Sequence, residues 1–554
     1  MKFRRLGTML DCSRNAVMSV KSVRKWIDVI SDMGYNTLLL YTEDTYEVDN
    51  QPYFGYMRGR YSQKELREID DYAASKDMEV IPCIQTLAHL KSLFHWPIYR
   101  DIHDCEDILL AEEEKTYALI EDMFATIAKT YRTKTVNIGM DEAHMLGLGK
   151  YLDKHGFHDR FEILENHLIR VAKIAEKYDF NLLMWGDMFF RLASGGAYYV
   201  DEFQVTEEIR QKVPHNVQLI YWDYYNTDKK HFDKMIKFHE DIKEDIWFAG
   251  GLWTWIGYAP RNTYSMQTVE AAVTSCIENG VQDAFFCLWG DDGAVCSKFA
   301  LLPALYYTAE LAKGRNDLEE IKAGFAQKFG ISFEEYLLLD LPDTATETID
   351  GKIVCPDKYM LFSDCLLGAV DTMVCGYEAE EYAACAQKLK EAGEKAGEYA
   401  YLFKTLEALC DVLAIKFDLG VRTYEAYKAS DHKVLEALLA DYDCVLERIN
   451  TLYEAYKEQW MKDNKPQGFE VQDIRFGGLI YRTKHCRNRL QKYIAGELSV
   501  LEELEETRLD FLGGGEDFQK GPRQYNNWGS IVTANTLVHF IRNEEVGTII
   551  WETF

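Results

Sequence analysis

The sequence predicts an α/β fold, a (β/α)8 TIM barrel followed by a mainly α-helical C-terminal domain, on three observations: eight short apolar runs up to about residue 300, amphipathic segments between them, and a change of texture from about Leu301. The runs are Thr8 to Cys12, Tyr35 to Tyr41, Met78 to Ile84, Thr135 to Met140, Asn181 to Trp185, Val217 to Tyr221, Ile246 to Leu252 and Asp283 to Trp289. Val20 to Met33, Gln63 to Ser75, Glu112 to Tyr131 and Arg160 to Tyr178 carry apolar residues at helical spacing. A doubly wound open sheet would show the same alternation, and the count of eight favours a closed barrel. Beyond Leu301, the stretches Ala379 to Gly393, Tyr399 to Tyr427 and Lys433 to Trp460 are long, charged and helical in period, which predicts a bundle. Punctuation there is sparse, confined to Lys465-Pro466-Gln467-Gly468 and Gly513-Gly514-Gly515, and Val546 to Trp551 reads as an edge strand or the end of a helix. The expected division is 1–305 for the barrel and 306–554 for the helical domain.

Composition narrows the function. Hydrophobic residues make up 47% of 554, enough to bury a sizeable core. Lys and Arg total 62 against 91 Asp and Glu, a net charge of -29, which repels phosphate backbones and anionic lipid heads. Neither nucleic acid nor a membrane is expected as partner. The 13 cysteines are odd in number and form no CxxC pair; Cys12, Cys83, Cys276 and Cys287 lie in apolar segments, where a reduced thiol behaves as a small hydrophobe. The basic start, Met1 to Arg5, is followed by an apolar stretch that stops at Asp11, too short for the core of a signal peptide. A cytoplasmic location is the expectation, with a homodimer as a candidate assembly.

The stretch with most chemistry is Val136-Asn137-Ile138-Gly139-Met140-Asp141-Glu142-Ala143-His144, an apolar strand ending in two adjacent carboxylates. Barrel enzymes keep their acids and bases at the C-terminal ends of strands. Successive strand residues face opposite ways, so both carboxylates serve one site only where the strand ends and the chain turns. Two acids so close also drive their pKa values apart. Taken alone, an adjacent Asp-Glu pair is equally well explained as a solvated loop.

The other strand ends repeat the pattern: Asp11 and Arg14, Asp44, His89, Trp185 and Asp187, Tyr221 and Asp223, Trp253 and Trp255, Trp289 and Asp291. Of 11 tryptophans, six fall between Trp185 and Trp289, whereas barrel cores prefer Val, Ile and Leu; this marks a pocket at one rim. Flat indoles can lie on the C–H face of a pyranose while carboxylates and Arg14 take its hydroxyls. Trp222 and Trp247 read instead as packing between strand and helix; Trp185, Trp253 and Trp289 read as pocket.

These residues resemble glycoside hydrolase family 20, the β-N-acetylhexosaminidases. The family's His/Asn-x-Gly-x-Asp-Glu strand end is matched by Asn137 to Glu142, its Asp-x-Ser-Arg by Asp11-Cys12-Ser13-Arg14, and its Tyr-x-Asp by Tyr221-Trp222-Asp223. Its Trp-x-Glu appears as Trp289-Gly290-Asp291, with Asp for Glu. The matches run in family order over residues 8 to 292, and the chain looks like the compact branch that begins directly with its barrel. Two places depart: Pro82 to His89 keeps only the proline and histidine of the third-strand motif, and Tyr41 stands where the family has His, with Asp44 after it. The resemblance implies an exo-acting, retaining enzyme that removes terminal β-linked N-acetylglucosamine or N-acetylgalactosamine from an oligosaccharide through an oxazolinium intermediate, with no cofactor and no metal. It implies Glu142 as general acid and base, and Asp141 as the carboxylate steering the 2-acetamido group. Tyr221 would bind the acetamido oxygen, and Trp185, Trp253 and Trp289 would wall the pocket. Arg14, Asp223 and Asp291 would hold hydroxyls, and Asp44 with His89 would form a relay behind Glu142.

Other readings fare worse. Asp141-Glu142-Ala143-His144 also spells a helicase box, but no GxxxxGK[ST] loop precedes it. His89, His95, His103 and His144 lie near carboxylates without an HExxH or HxH pair. A non-catalytic carbohydrate-binding barrel remains the alternative, set against the retention of both Asp141 and Glu142.

Overall fold

A computed structural model of the chain describes residues 2–203, 210, 213–346, 354–511, 513, 528–533, 538–543 and 547–552. Eight strands form a closed barrel in sequence order: β1 (Arg5–Asp11), β2 (Thr37–Glu43), β3 (Glu79–Ile84), β4 (Thr135–Asn137), β5 (Asn181–Trp185), β6 (Val217–Asp223), β7 (Trp247–Gly251) and β8 (Asp283–Leu288). All neighbours pair in parallel, and β8 closes on β1 with Thr8 opposite Phe286. Each strand lies on one of the eight predicted runs. The strands are buried nearly throughout because one face fills the barrel and the other meets helices, which is why they read as apolar runs and not as alternations.

The helices begin and end where local chemistry directs. Ser19 caps Val20–Met33 by accepting from the Ser22 amide, and Gly34 ends it at φ 100°, a conformation glycine adopts without strain. Ser62 and Glu65 cap Gln63–Ala74 reciprocally. The helix Leu302–Ala312 runs through the boundary expected at residue 305; it packs on Val20–Met33 and Asn262–Asn279, with the Tyr35 hydroxyl donating to Leu305 O at 2.9 Å. The chain therefore leaves the barrel's helical layer after Ala312, because the last βα unit needs its own helix to cover β8.

Beyond it, Glu378–Gly393 packs on Ala400–Lys416, which packs on His432–Asp463, and that helix on Phe469–Ile494. The single segment expected over Tyr399 to Tyr427 is two helices, Ala400–Lys416 and Leu419–Lys428; both keep apolar residues at helical spacing, so periodicity does not see the break. Near the C-terminus Gly547–Glu552 pairs antiparallel with Val538–Asn543, while Val546, Gly514 and Gly515 lie outside the described residues. No helix among the described residues is long and apolar enough to cross a membrane. Cys12, Cys83, Cys276 and Cys287 are buried thiols outside any disulfide.

Candidate active site

The loop after β4 explains how two consecutive carboxylates reach one mouth. Gly139, Met140 and Glu142 all take positive φ (74°, 68° and 50°), so the chain coils where an extended strand would send Asp141 and Glu142 to opposite faces. Gly139 is required by crowding as well: a Cβ there would sit 2.0 Å from Gln85 Oε1. That Gln85 oxygen accepts the Met140 amide at 3.2 Å, and its Nε2 donates to Asp141 Oδ1 at 2.7 Å and to the Tyr41 hydroxyl at 2.9 Å. His89 Nε2 lies 3.2 Å from the other Asp141 oxygen and 3.7 Å from Glu142 Oε2.

Burial alone would raise the pKa of Asp141; the charge and hydrogen bond of His89, with Gln85, outweigh it and hold the carboxyl below its ordinary range. Burial would likewise lower His89, but Asp141 pushes it up to about 10. The pair thus holds Asp141 ionised beside the His89 ring. Glu142 is more open, with 38% of its side chain exposed, and its Oε1 lies 3.4 Å from Arg191 Nη2. Asp187, at the head of the helix Asp187–Ala193, accepts both the Glu142 amide at 3.1 Å and Arg191 Nε at 2.9 Å, which fixes the acid's backbone and its cationic neighbour together.

Opposite, Asp11 joins the ends of β1 and β8: Oδ1 accepts Ser13 N at 2.8 Å and Oδ2 accepts Gly290 N at 2.8 Å. That junction brings Arg14 within 3.8 Å of Asp291 and sets its guanidinium 5.9 Å from the centre of Trp289. Trp289 meets Tyr41 edge-on at 4.7 Å and Trp185 at 6.1 Å, so these rings line the inside of the barrel under the carboxylates. The buried indole nitrogen of Trp185 has no hydrogen-bond partner among the described residues. Trp253 donates from Nε1 to Tyr224 O at 2.8 Å and stacks at 4.4 Å on Trp255, which meets Tyr224 at 5.7 Å.

Three expected roles do not survive the geometry. Tyr221 sits opposite Phe248 in register, and both rings pack with Phe232 and His239 or with each other in the outer layer. Its side chain points away from the barrel interior, since alternation along β6 sends Tyr221 to the helices. Asp223 shares that face, and its carboxylate is taken up by the Tyr221 hydroxyl (3.0 Å), Asn226 Nδ2 (2.7 Å), His231 Nε2 (3.1 Å) and two loop amides. It anchors the loop after β6. Asp44 pairs with Arg58 and not with His89. The carboxylate that ends β2 toward the mouth is Glu43, displaced by a bulge between Tyr41 and Glu43; it accepts Arg14 Nε at 3.1 Å, and Arg14 Nη2 in turn lies 3.3 Å from His89 Nδ1. The chain of contacts behind the acid is Glu43, Arg14, His89.

Sequence reasoning missed Gln85, Glu43, Arg191 and Tyr224. Glu43 and Tyr224 each adjoin a residue it chose, so the strand-end signal was present but off by one or three positions. The Tyr224 ring stacks on Trp222 at 5.2 Å, and its hydroxyl donates to Cys287 Sγ at 3.6 Å on the interior face of β8.

Comparison with known proteins supplies the lineage. The model described as the catalytic domain of glycosyl hydrolase family 20 matches residues 2–237, and the one described as the glycoside hydrolase 20C C-terminal domain matches residues 334–521. The chain belongs to glycoside hydrolase family 20. Hexosaminidase D of Bos taurus is 25% identical over 207 residues, 35% of this chain and 55% of that protein. Beta-hexosaminidase 3 of Arabidopsis thaliana is 22% identical over 208 residues, 35% of this chain and 38% of that protein. This family 20 chain therefore matches about half or less of the length of these curated relatives. A solved structure, the Streptomyces plicatus N-acetyl-beta-hexosaminidase in complex with Thio-NAglucal, aligns at 18% identity with a TM-score of 0.45, covering 61% of this chain and 69% of that one.

Proposed function

We propose that the protein is an exo-acting β-N-acetylhexosaminidase that releases terminal β-linked N-acetylglucosamine or N-acetylgalactosamine by a retaining, substrate-assisted mechanism. The observation that carries this reading is the pairing of a fixed anion with an open acid: Asp141 clamped by Gln85 and His89, next to the half-open Glu142. Glu142 protonates the glycosidic oxygen and then activates water. Asp141 orients the 2-acetamido N–H and balances the positive charge of the oxazolinium. Both of its oxygens are engaged, and it adjoins the acid in sequence; direct attack would need two carboxyls about 5 Å apart across the scissile bond. The substrate's own acetamido oxygen is then the nucleophile. Tyr224 takes the place expected of Tyr221, with Trp185, Trp289 and the stacked Trp253 and Trp255 walling the ring, and Arg14 and Asp291 meeting its hydroxyls. Buried reduced thiols such as Cys12, Cys83, Cys276 and Cys287 are in keeping with a reducing, cytoplasmic location.

The test is Glu142→Gln. General acid catalysis commonly contributes about 10² to 10⁴-fold, so turnover falls by that order on glycosides with poor leaving groups and far less on those whose leaving group needs no proton. Equal losses on both would reassign the acid.

A further inference from the structure

Side chains along β8 alternate between the barrel interior and the helices, and Phe285, Cys287 and Trp289 share the inner face. The Phe285 and Trp289 rings lie 5.8 Å and 6.1 Å from Trp185, which fixes that face as the interior. Cys287 is thus a small side chain between two large ones. Its partner across the ladder is Gly251 of β7, which is smaller still. A Cβ on Gly251 would lie 2.8 Å from Tyr224 Cβ and 2.9 Å from Trp255 Cη2, so bare backbone there is what lets both rings settle against β7.

The two small residues leave a notch one side chain deep beneath Trp289. The Tyr224 hydroxyl closes it, 3.6 Å from Cys287 Sγ and with Trp289 as a second hydrogen-bonding neighbour. Asp11 and Asp141 are near enough for their charges to act on the Cys287 thiol, which sets the notch below the same mouth. Burial pushes that thiol well above its ordinary range, so the sulfur is neutral, not a nucleophile, and behaves as a small hydrophobe. A notch that ends in a neutral sulfur and aromatic carbon suits a methyl group.

We propose that Cys287 sets the length of the N-acyl group the protein accepts, admitting acetyl and turning away propionyl and longer chains. The inference rests on Tyr224 as the residue that meets the acyl oxygen: with that oxygen on the hydroxyl and the amide N–H toward Asp141, the acyl methyl points at Cys287. One more methylene would then meet the sulfur and the Phe285 ring beneath it. The test compares kcat/KM for 4-nitrophenyl N-acetyl-β-glucosaminide and its N-propionyl analogue in the native protein, Cys287→Ala and Cys287→Val. Because each result is a ratio within one protein, a general loss of stability or turnover cancels. The native preference for acetyl is expected at about 10- to 200-fold, the worth of one methylene in a closed apolar pocket. Cys287→Ala should shrink it about tenfold and Cys287→Val should widen it; Cys287→Ala alone decides if Cys287→Val does not fold. No native preference, or a ratio that stays put in Cys287→Ala, overturns the assignment. Calorimetric titration with N-acetylglucosamine and N-propionylglucosamine separates it from the catalytic reading. A binding ratio that moves in Cys287→Ala, in a protein that hydrolyses neither glycoside, supports the notch and overturns the catalytic reading instead.

Discussion

His89 and Asp141 form a buried ion pair whose two partners shift in opposite directions, and that sets a pH window. Asp141 is depressed below its ordinary 3.8, so its share of the stabilisation is present above that value and is lost as pH falls through the lowered native pKa. His89 is raised from 6.5 to about 10, so its share is fully present below 6.5 and is lost as pH rises through about 10. The melting temperatures of wild type and His89→Gln should therefore differ most near pH 6 and converge as pH climbs toward 10. A constant difference up to pH 10 contradicts the upward shift of His89. At this scale the sequence was legible where chemistry sits in a motif: Asp141, Glu142, Arg14, His89, Trp289 and Asp291 converge on one mouth. It was illegible where the work is done by a residue with no catalytic signature. Gln85 reads as an ordinary strand-end amide, and only the close approach of Gly139 shows that it holds the anion.

Strand β6 shows why an element's orientation must be known before a residue's role. A tyrosine and an aspartate two apart share a face, and the Tyr221/Asp223 face meets the helix Lys229–Ile242, where Phe232 and His239 receive the ring. The run Val217 to Tyr221 is buried on both sides, so its hydrophobicity carries no information about which face is which. Tyr224, just past the strand, regains the interior. Tyr224→Phe should lower kcat on N-acetylhexosaminides at least tenfold with little change in melting temperature. Tyr221→Phe should do the reverse, costing about 1–3 kcal/mol of stability through the lost hydroxyl on a buried carboxylate while kcat is kept. These are read from steady-state rates and thermal denaturation of the two variants. The opposite assignment of effects would return the acetamido contact to Tyr221. The eight strands were legible as apolar runs, and the helices Val20–Met33, Gln63–Ala74, Glu114–Thr130 and Arg160–Glu176 by an apolar period or a cap; the short helices in the βα loops were not, because loop conformation follows from tertiary contacts such as the Asp187 clamp.

At the scale of the whole molecule, the helical region and the barrel meet at the active-site rim. Asp292, next to Asp291, is held by Lys358 Nζ at 2.5 Å and Arg475 Nη2 at 2.7 Å, and the neighbouring Gly293 carbonyl accepts Asn15 Nδ2 and Gln472 Nε2. The C-terminal helices thus set the position of the β8 loop that carries Asp291, a dependence no local pattern in the sequence announces. In the proposed mechanism the barrel supplies acid, anion and aromatic walls, and it leaves attack to the substrate. That division of labour makes the 2-acetamido group indispensable, and it is tested most directly by comparing kcat/KM for 4-nitrophenyl N-acetyl-β-glucosaminide and 4-nitrophenyl β-glucoside, whose leaving groups are identical. The account predicts hydrolysis of the first and essentially none of the second, with a thiazoline analogue of the cyclised intermediate binding far more tightly than the free sugar. Comparable rates on the two glycosides, or a glycosyl ester trapped on a protein carboxylate, would contradict it.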